Sequence, residues 1–296
     1  MQFREIYETE NGLIAEDAWK EKIAGLYTAG KLREPVGPEG LSRLISEAVR
    51  RRIQDKRQGV LFSGGIDSTL IAFLLKRMGA DFTCLSVGIK GSEDLAWASR
   101  AAEELGFKLR IKEFSDEEVE DLFRRVKVIL KTENPVTISI GAVSYAGMTL
   151  AAEQGITHVF SGLGSEELFA GYDRHLKALS EGRDVNEECL AGLLSMHERD
   201  LKRDFSIARA LNCKILTPFL DERLIEASSL IPAEEKISLE EKKIILRKSA
   251  LLLGLPEHFC LRRKRAAQYG SGFEGTMRRL ARRMHFKGER EYCASL

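Results

Sequence analysis

An α/β fold is what the 296-residue sequence predicts: a parallel five-stranded sheet with helices on both faces, plus a smaller C-terminal helical region. Two observations carry that expectation. Short apolar runs of strand length alternate with longer runs whose apolar residues recur at helical spacing. The longer runs also end at glycines suited to left-handed caps. Such alternation implies parallel strands joined by crossover helices that cover the sheet.

Taken in order, the chain first offers a helical stretch, AEDAWKEKIAGLYTAG, and then the turn-rich EPVGPEG. Residues 1–37 therefore read as a helical extension closed by a boundary. LSRLISEAVRRRI, from Leu41, spaces its apolar residues helically, with basic residues on the other face. Five strands are predicted: GVLF (59–62), FTCLSVGI (82–89), LRIKEF (109–114), THVF (157–160) and CKILTPF (213–219). TLIAFLLKRMG, EDLAWASRAAEELG and VSYAGMTLAAEQG are the helices between them. The α/β domain is expected over 38–175, and a mostly helical region that completes the active site over 176–296. Ligands in such folds sit beyond the carboxyl ends of the strands, so the residues that follow each strand are the ones to inspect.

Composition excludes several classes. Hydrophobic residues make up 44% and charged residues 31%, with a formal net charge of +1. That balance gives no overall attraction to nucleic acid or membrane. One stretch departs from it: between Leu261 and Arg290 ten basic residues face only Glu274 and Glu289. The five cysteines are scattered and form no CxxC pair, which argues against a disulfide framework or a zinc site. The five histidines have no ligand spacing. The charged amino terminus is unlike a signal peptide. No apolar run is expected to reach the roughly 18 residues that span a bilayer, so a cytoplasmic location is expected.

The motif with most chemistry follows the first main strand. GVLF runs into SGGIDST, residues 63–69. Gly64 and Gly65 allow a tight turn and leave backbone amides uncovered. The next segment is helical, so its free amino-terminal N–H groups favour an anion, typically phosphate. Ser63 and Ser68 add hydroxyls. Asp67 suits a phosphate only with Mg²⁺ between them. GxxxxGK[ST] does not occur, so this is not the common P-loop. SGGIDS resembles the pyrophosphate loop of the PP-loop ATP pyrophosphatase superfamily. That resemblance implies an enzyme that cleaves ATP between its α and β phosphates, adenylates a substrate and transfers a nucleophile.

A second run narrows the branch. SGLGSEELFAGY, residues 161–172, resembles the asparagine synthetase signature, which reads SG-Glu-GS-Asp-Glu-x-F-Gly-Gly-Tyr. LSRLISEAVRRRIQDKRQGVLFSGGIDS, RDFSIARALNCKILTPFLDERLIEAS and EKKIILRKSA with LRRKRAAQYGSG agree with further family segments in order, over roughly residues 40–275. The resemblance implies roles. Asp67 and Glu166 would hold Mg²⁺, with Glu166 one methylene longer than the usual aspartate. Glu167 would reach the same metal or a cationic partner. Lys264 would neutralise charge developing on the phosphates. Leu61 and Val87 would pack the adenine of ATP, and Ser161 and Gly162 would bring backbone and hydroxyl groups to the nucleotide. Asp221 is either a substrate contact or a helix N-cap. Arg247 and Lys248 read more simply as a solvated helix face than as phosphate contacts.

Two departures matter. The glutaminase domain that opens full asparagine synthetases begins with a cysteine, whereas residue 2 is Gln2 and the first cysteine is Cys84. The expected enzyme therefore acts without its own glutaminase. Its partners would be a small carboxylate, with aspartate the acid the resemblance names, and ammonia or an amine. A separate glutaminase subunit would be one source of ammonia, and a homo-oligomer is compatible. Leu163 is the second departure, because it stands where the signature has a glutamate implicated in adenylate formation and ammonia attack. Leucine can neither accept a proton nor bind metal. The alternatives left open are a tRNA-modifying PP-loop enzyme, suggested by the basic stretch, and a nucleotide-binding subunit with degenerate catalysis.

Overall fold

The computed structural model describes residues 3–31, 34–262 and 267–296. Strands β1 (Glu8–Thr9) and β2 (Gly12–Leu13) form a small antiparallel ribbon. The main sheet contains β3 (Gln58–Leu61), β4 (Phe82–Ile89), β5 (Leu109–Phe114), β6 (His158–Phe160) and β7 (Lys214–Leu216), in the order β5-β4-β3-β6-β7. β3 pairs in parallel with β4 and β6, and β4 pairs in parallel with β5. The five strands match the predicted ones to within a few residues. The chain builds outward from β3 to β5, then returns to the other side of β3. That reversal puts the topological switch point between β3 and β6, whose residues Val60 and Phe160 are paired.

Two compact units make up the chain, each assembled from separated segments. One comprises Gln54–Phe160, Arg203–Ile215 and Arg262–Leu296, and the other Met1–Ile53, Ser161–Lys202 and Leu216–Leu261. The continuous division expected at 37 and 175 differs from this, because the sheet is covered by segments from far along the chain. In the sheet unit, Leu85 and Val87 of β4 share an apolar cluster with Val119, Phe123 and Val126 of helix Asp116–Leu130. Phe273, Met277 and Leu280 of helix Phe273–Arg283 close the same cluster. Opposite residues of β4 point the other way, where Phe82 meets Phe107 edge to face at 5.7 Å. Helix Pro135–Glu153 corrects one expectation, being long and apolar enough by composition to cross a membrane. Ile138, Ala142, Ala146 and Ala151 bury it in this core, as expected of a central helix in a parallel-sheet fold.

Helix Asp116–Leu130 lies outside the predicted elements, yet it opens with a complete capping box. Ser115 Oγ accepts from the Glu118 amide at 3.2 Å, and Glu118 Oε2 accepts from the Ser115 amide at 2.8 Å. Ser115→Ala is expected to cost about 1 kcal/mol, read as a lower urea midpoint at unchanged slope. The acidic start of this helix also pairs with part of the basic C-terminal stretch. Arg279 pairs with Asp116 at 2.5 Å and Arg283 with Glu117 at 3.3 Å, while Arg278 pairs with Glu289 at 2.8 Å. Those charges serve the unit's own surface.

The other unit is mostly helical and carries the β1–β2 ribbon and an antiparallel bridge between Ile237 and Lys242. Trp19 of helix Glu16–Gly30 is fully buried and donates from Nε1 to the Leu193 carbonyl at 2.9 Å. Arg52, also fully buried, is held by both Glu5 oxygens at 2.7 Å and by Asp221 at 3.1 Å. A buried guanidinium is tolerable only with this degree of pairing.

Candidate active site

The chain leaves β3 at Leu61 and turns through SGGIDST into helix Ile66–Arg77. Gly64 takes φ +65°, a left-handed backbone that a side chain would strain. A Cβ there would also come within 2.7 Å of the Trp97 backbone. Gly65 occupies the N-cap and leaves the first-turn amides without a side-chain cap. Such amides carry the partial positive charge of the helix terminus. Ser63 Oγ and Ser68 Oγ lie 3.4 Å apart beside them, and Asp67 sits in the first turn. A carboxylate, two hydroxyls and uncapped amides form a donor set suited to a phosphate with a hard cation.

β6 delivers the second run. Ser161 donates its amide to the Leu216 carbonyl at 2.9 Å, and its hydroxyl accepts from the Leu163 amide at 3.3 Å. Leu163 is half-buried. Gly164, at φ +98°, leads into the short helix Ser165–Leu168. Glu166, about a third exposed, meets the buried Lys243 at 2.7 Å, and Lys243 Nζ also donates to Ser165 Oγ at 3.0 Å. Lys243 adopts the left-handed φ of +57° at the start of helix Ile244–Leu252. The Glu166 carboxylate is thus presented beside an ammonium.

Glu167 faces the other way and is fully buried. Its Oε1 contacts Arg199, which in turn pairs with Asp200 at 2.6 Å, while Oε2 has no hydrogen-bond partner among the described residues. Arg199 and Asp200 lie on a π-helical turn, His197–Leu201. Burial, with the Asp200 charge next, pushes the Glu167 carboxyl up to about 7 against the opposing Arg199. A raised folded-state pKa means that the folded chain holds a proton more tightly than the unfolded chain. That contribution to stability is full below about pH 4.5 and is lost as pH rises through about 7. Glu167→Gln is expected to flatten the stability profile over this window, measured by urea unfolding at several pH values. A variant profile parallel to the original would contradict the assignment.

Leu61 is half-buried, with its side chain against Gly147, and Val87 lies within the sheet core. Asp221 accepts from the Arg223 amide at 3.2 Å, the N-cap bond, and its carboxylate also meets Arg51 at 2.5 Å and Arg52 at 3.1 Å. Lys264 lies outside the described residues. Arg247 is a correction: it is buried rather than solvated, donating to the Lys242 carbonyl at 2.7 Å and to the Cys260 carbonyl. Lys248 pairs with Glu235 at 3.0 Å on the surface. Glu16, His197 and Glu198 bring ligand atoms within 4.8 Å of one another, but Lys20 at 2.6 Å and Lys202 at 2.9 Å already neutralise the carboxylates.

The profile of the asparagine synthase family matches residues 40–185 and 179–291, nearly the whole chain beyond its first segment. The chain belongs to the asparagine synthase family. A Methanocaldococcus jannaschii protein named as a glutamine-hydrolysing asparagine synthetase is 32% identical over 85% of this chain and 53% of its own length. An asparagine synthetase of the same description from Schizosaccharomyces pombe is 30% identical, covering 81% of this chain and 48% of the relative. Asparagine synthetase B of Escherichia coli is 28% identical over 79% and 45% respectively. The chain thus spans about half the length of the curated relatives it matches.

Membership of the asparagine synthase family gives the local backbone a context. Ala170 takes φ +54°, a left-handed backbone unusual for a residue with a side chain, at the position where the signature it resembles has glycine. Three residues near the two motifs carry no distinctive sequence signal. Lys243 is one lysine in a run with Lys242 and Lys248. Arg199 stands in HERDL, which matches no motif, and Arg262 is the first of four consecutive basic residues. Only their partners distinguish them.

Proposed function

We propose that this member of the asparagine synthase family is an ATP-dependent, AMP-forming amide ligase. A carboxylate attacks the α-phosphorus of ATP, giving an acyl adenylate and pyrophosphate. Ammonia or an amine then attacks the acyl carbon, forming the amide and expelling AMP, with one proton released. Aspartate is the first acid to test, with free ammonia or a glutaminase partner as the nitrogen source.

One observation supports this reading above the others. SGGIDST and SGLGSEEL leave adjacent parallel strands at the switch point of the sheet, where nucleotides bind in such folds. The nucleotide phosphates are assigned to the amides of Gly64 and Gly65, the hydroxyls of Ser63 and Ser68, and the Ser161–Gly162 turn. The adenine is assigned to the ends of β3 and β4, at Leu61 and Val87. Asp67 and Glu166 offer hard carboxylate oxygens that suit magnesium, and Glu166 is accessible enough to bind it. Magnesium would supply charge neutralisation on the leaving pyrophosphate. Lys243 holds the Glu166 carboxylate in place, and Lys264 is assigned the charge developing on the phosphates. With its carboxyl buried against Arg199, Glu167 supports the loop from behind.

Leucine at 163 removes one group implicated in adenylate formation but need not abolish that step, which depends more on metal and positive charge. Loss of the glutamate bears on the acceptor and on ammonia attack, where a missing general base costs about 10²–10⁴-fold. The test is ATP–pyrophosphate exchange over a panel of carboxylic acids, followed by product analysis with ammonium. AMP, pyrophosphate and an amide are expected. ADP and phosphate as products would remove the assignment.

A further inference from the structure

Arg262 closes a small buried network within the sheet unit. Its side chain is 1% exposed, and Nη1 donates to the Ser63 carbonyl at 2.8 Å. Nη2 donates to Asp94 at 3.3 Å, with Glu93 3.8 Å away. The guanidinium lies 4.8 Å above the Trp97 ring. Burying a guanidinium is expensive. Here it grips the main-chain oxygen of the first residue of the phosphate loop.

That oxygen has geometric leverage. The described chain contains no cis peptide bonds, so the Ser63 carbonyl and the Gly64 amide point in opposite directions across one rigid plane. Fixing the carbonyl on Arg262 fixes the Gly64 N–H on the opposite side. Gly64 in turn sits so close to the Trp97 and Ala98 backbone that a Cβ would not fit. Helix Glu93–Leu105 therefore seats the loop through Gly64 and holds Arg262 through Asp94 and Trp97.

We propose that Arg262 is a positioning residue that orients the 63–64 peptide and thereby sets the anion affinity of the SGGIDST loop. Asp94 and Trp97 fix the guanidinium plane, and the fork of Arg262 is required because a lysine cannot bridge a carbonyl and a carboxylate in the same way. The inference rests on reading SGGIDST as a pyrophosphate site.

The test is calorimetric titration of the full chain with inorganic pyrophosphate. Arg262→Ala is expected to weaken binding about 10- to 100-fold, the worth of a charge-assisted hydrogen bond. Low-millimolar guanidinium should restore affinity in that variant and leave the unaltered chain unchanged. Arg262→Lys should fall between them, and Asp94→Asn should weaken binding less than Arg262→Ala. If Arg262→Ala does not fold, the Lys and Asn variants decide the matter by the same titration. Unchanged affinity in the folded variants overturns the inference and leaves the loop assignment standing. Weakened binding that guanidinium fails to rescue assigns Arg262 to fold support and likewise overturns it. No pyrophosphate binding by the unaltered chain overturns the loop assignment, and the inference with it.

Discussion

Replacing Asp67 with asparagine is expected to cut ATP–pyrophosphate exchange by about 10²–10³-fold while leaving the fold intact. Asparagine has nearly the same shape, so the packing of the first turn of helix Ile66–Arg77 is preserved. What disappears is a negative charge among uncapped amides and hydroxyls. Without a cation, that charge repels phosphate, and with magnesium it anchors the metal on the pyrophosphate. The two conditions should therefore respond with opposite sign. In metal-free buffer Asp67→Asn should bind inorganic pyrophosphate at least as tightly as the unaltered chain. With magnesium it should bind more weakly. Equal loss under both conditions would mean a damaged loop rather than a lost metal ligand, and undiminished exchange would remove Asp67 from the site.

Gly171→Ala is expected to lower exchange by about 10²-fold through the Glu166–Lys243 pair. A methyl group at Gly171 would overlap the Glu166 carboxylate and the Lys243 side chain. The neighbours are the far ends of two flexible chains, so they can move aside, but moving breaks a 2.7 Å ion pair. Overpacking of this kind typically costs about 1–3 kcal/mol, which urea unfolding would report. The kinetic signature is a higher magnesium requirement, since the displaced carboxylate must be returned to its place. Unaltered magnesium dependence, with stability unchanged, would show that the pair is incidental to the site.

Much of the sheet is legible in the residues. GVLF, FTCLSVGI and LRIKEF become β3, β4 and β5 because apolar runs of that length, bounded by turns, can be buried on both faces. The anion-seeking loop is legible for a similar local reason: two glycines before a helix start uncover amides whatever packs around them. Helix Asp116–Leu130 is equally readable, since its S-x-x-E cap is written in the sequence and Val119, Leu122, Phe123 and Val126 recur at helical spacing. The division into units was not legible. Contiguous boundaries at 37 and 175 follow from composition, whereas a segment as late as Phe273–Leu280 is needed to cover Leu85.

The candidate site divides along the same line. Local sequence determined which backbone amides lie uncovered after β3, which carboxylates follow β3 and β6, and that a leucine stands at position 163. Those features depend on neighbours within a few residues, so their order in the chain is enough. Tertiary structure alone decided that Glu166 meets Lys243, that Glu167 is buried against Arg199 with its carboxyl pushed up to about 7, that Asp221 is occupied by Arg51 and Arg52, and that Arg262 holds the Ser63 carbonyl. Each of those pairs joins residues more than 30 positions apart. A charge's partner and its burial are set by which helices pack together, and one-dimensional order does not carry that information.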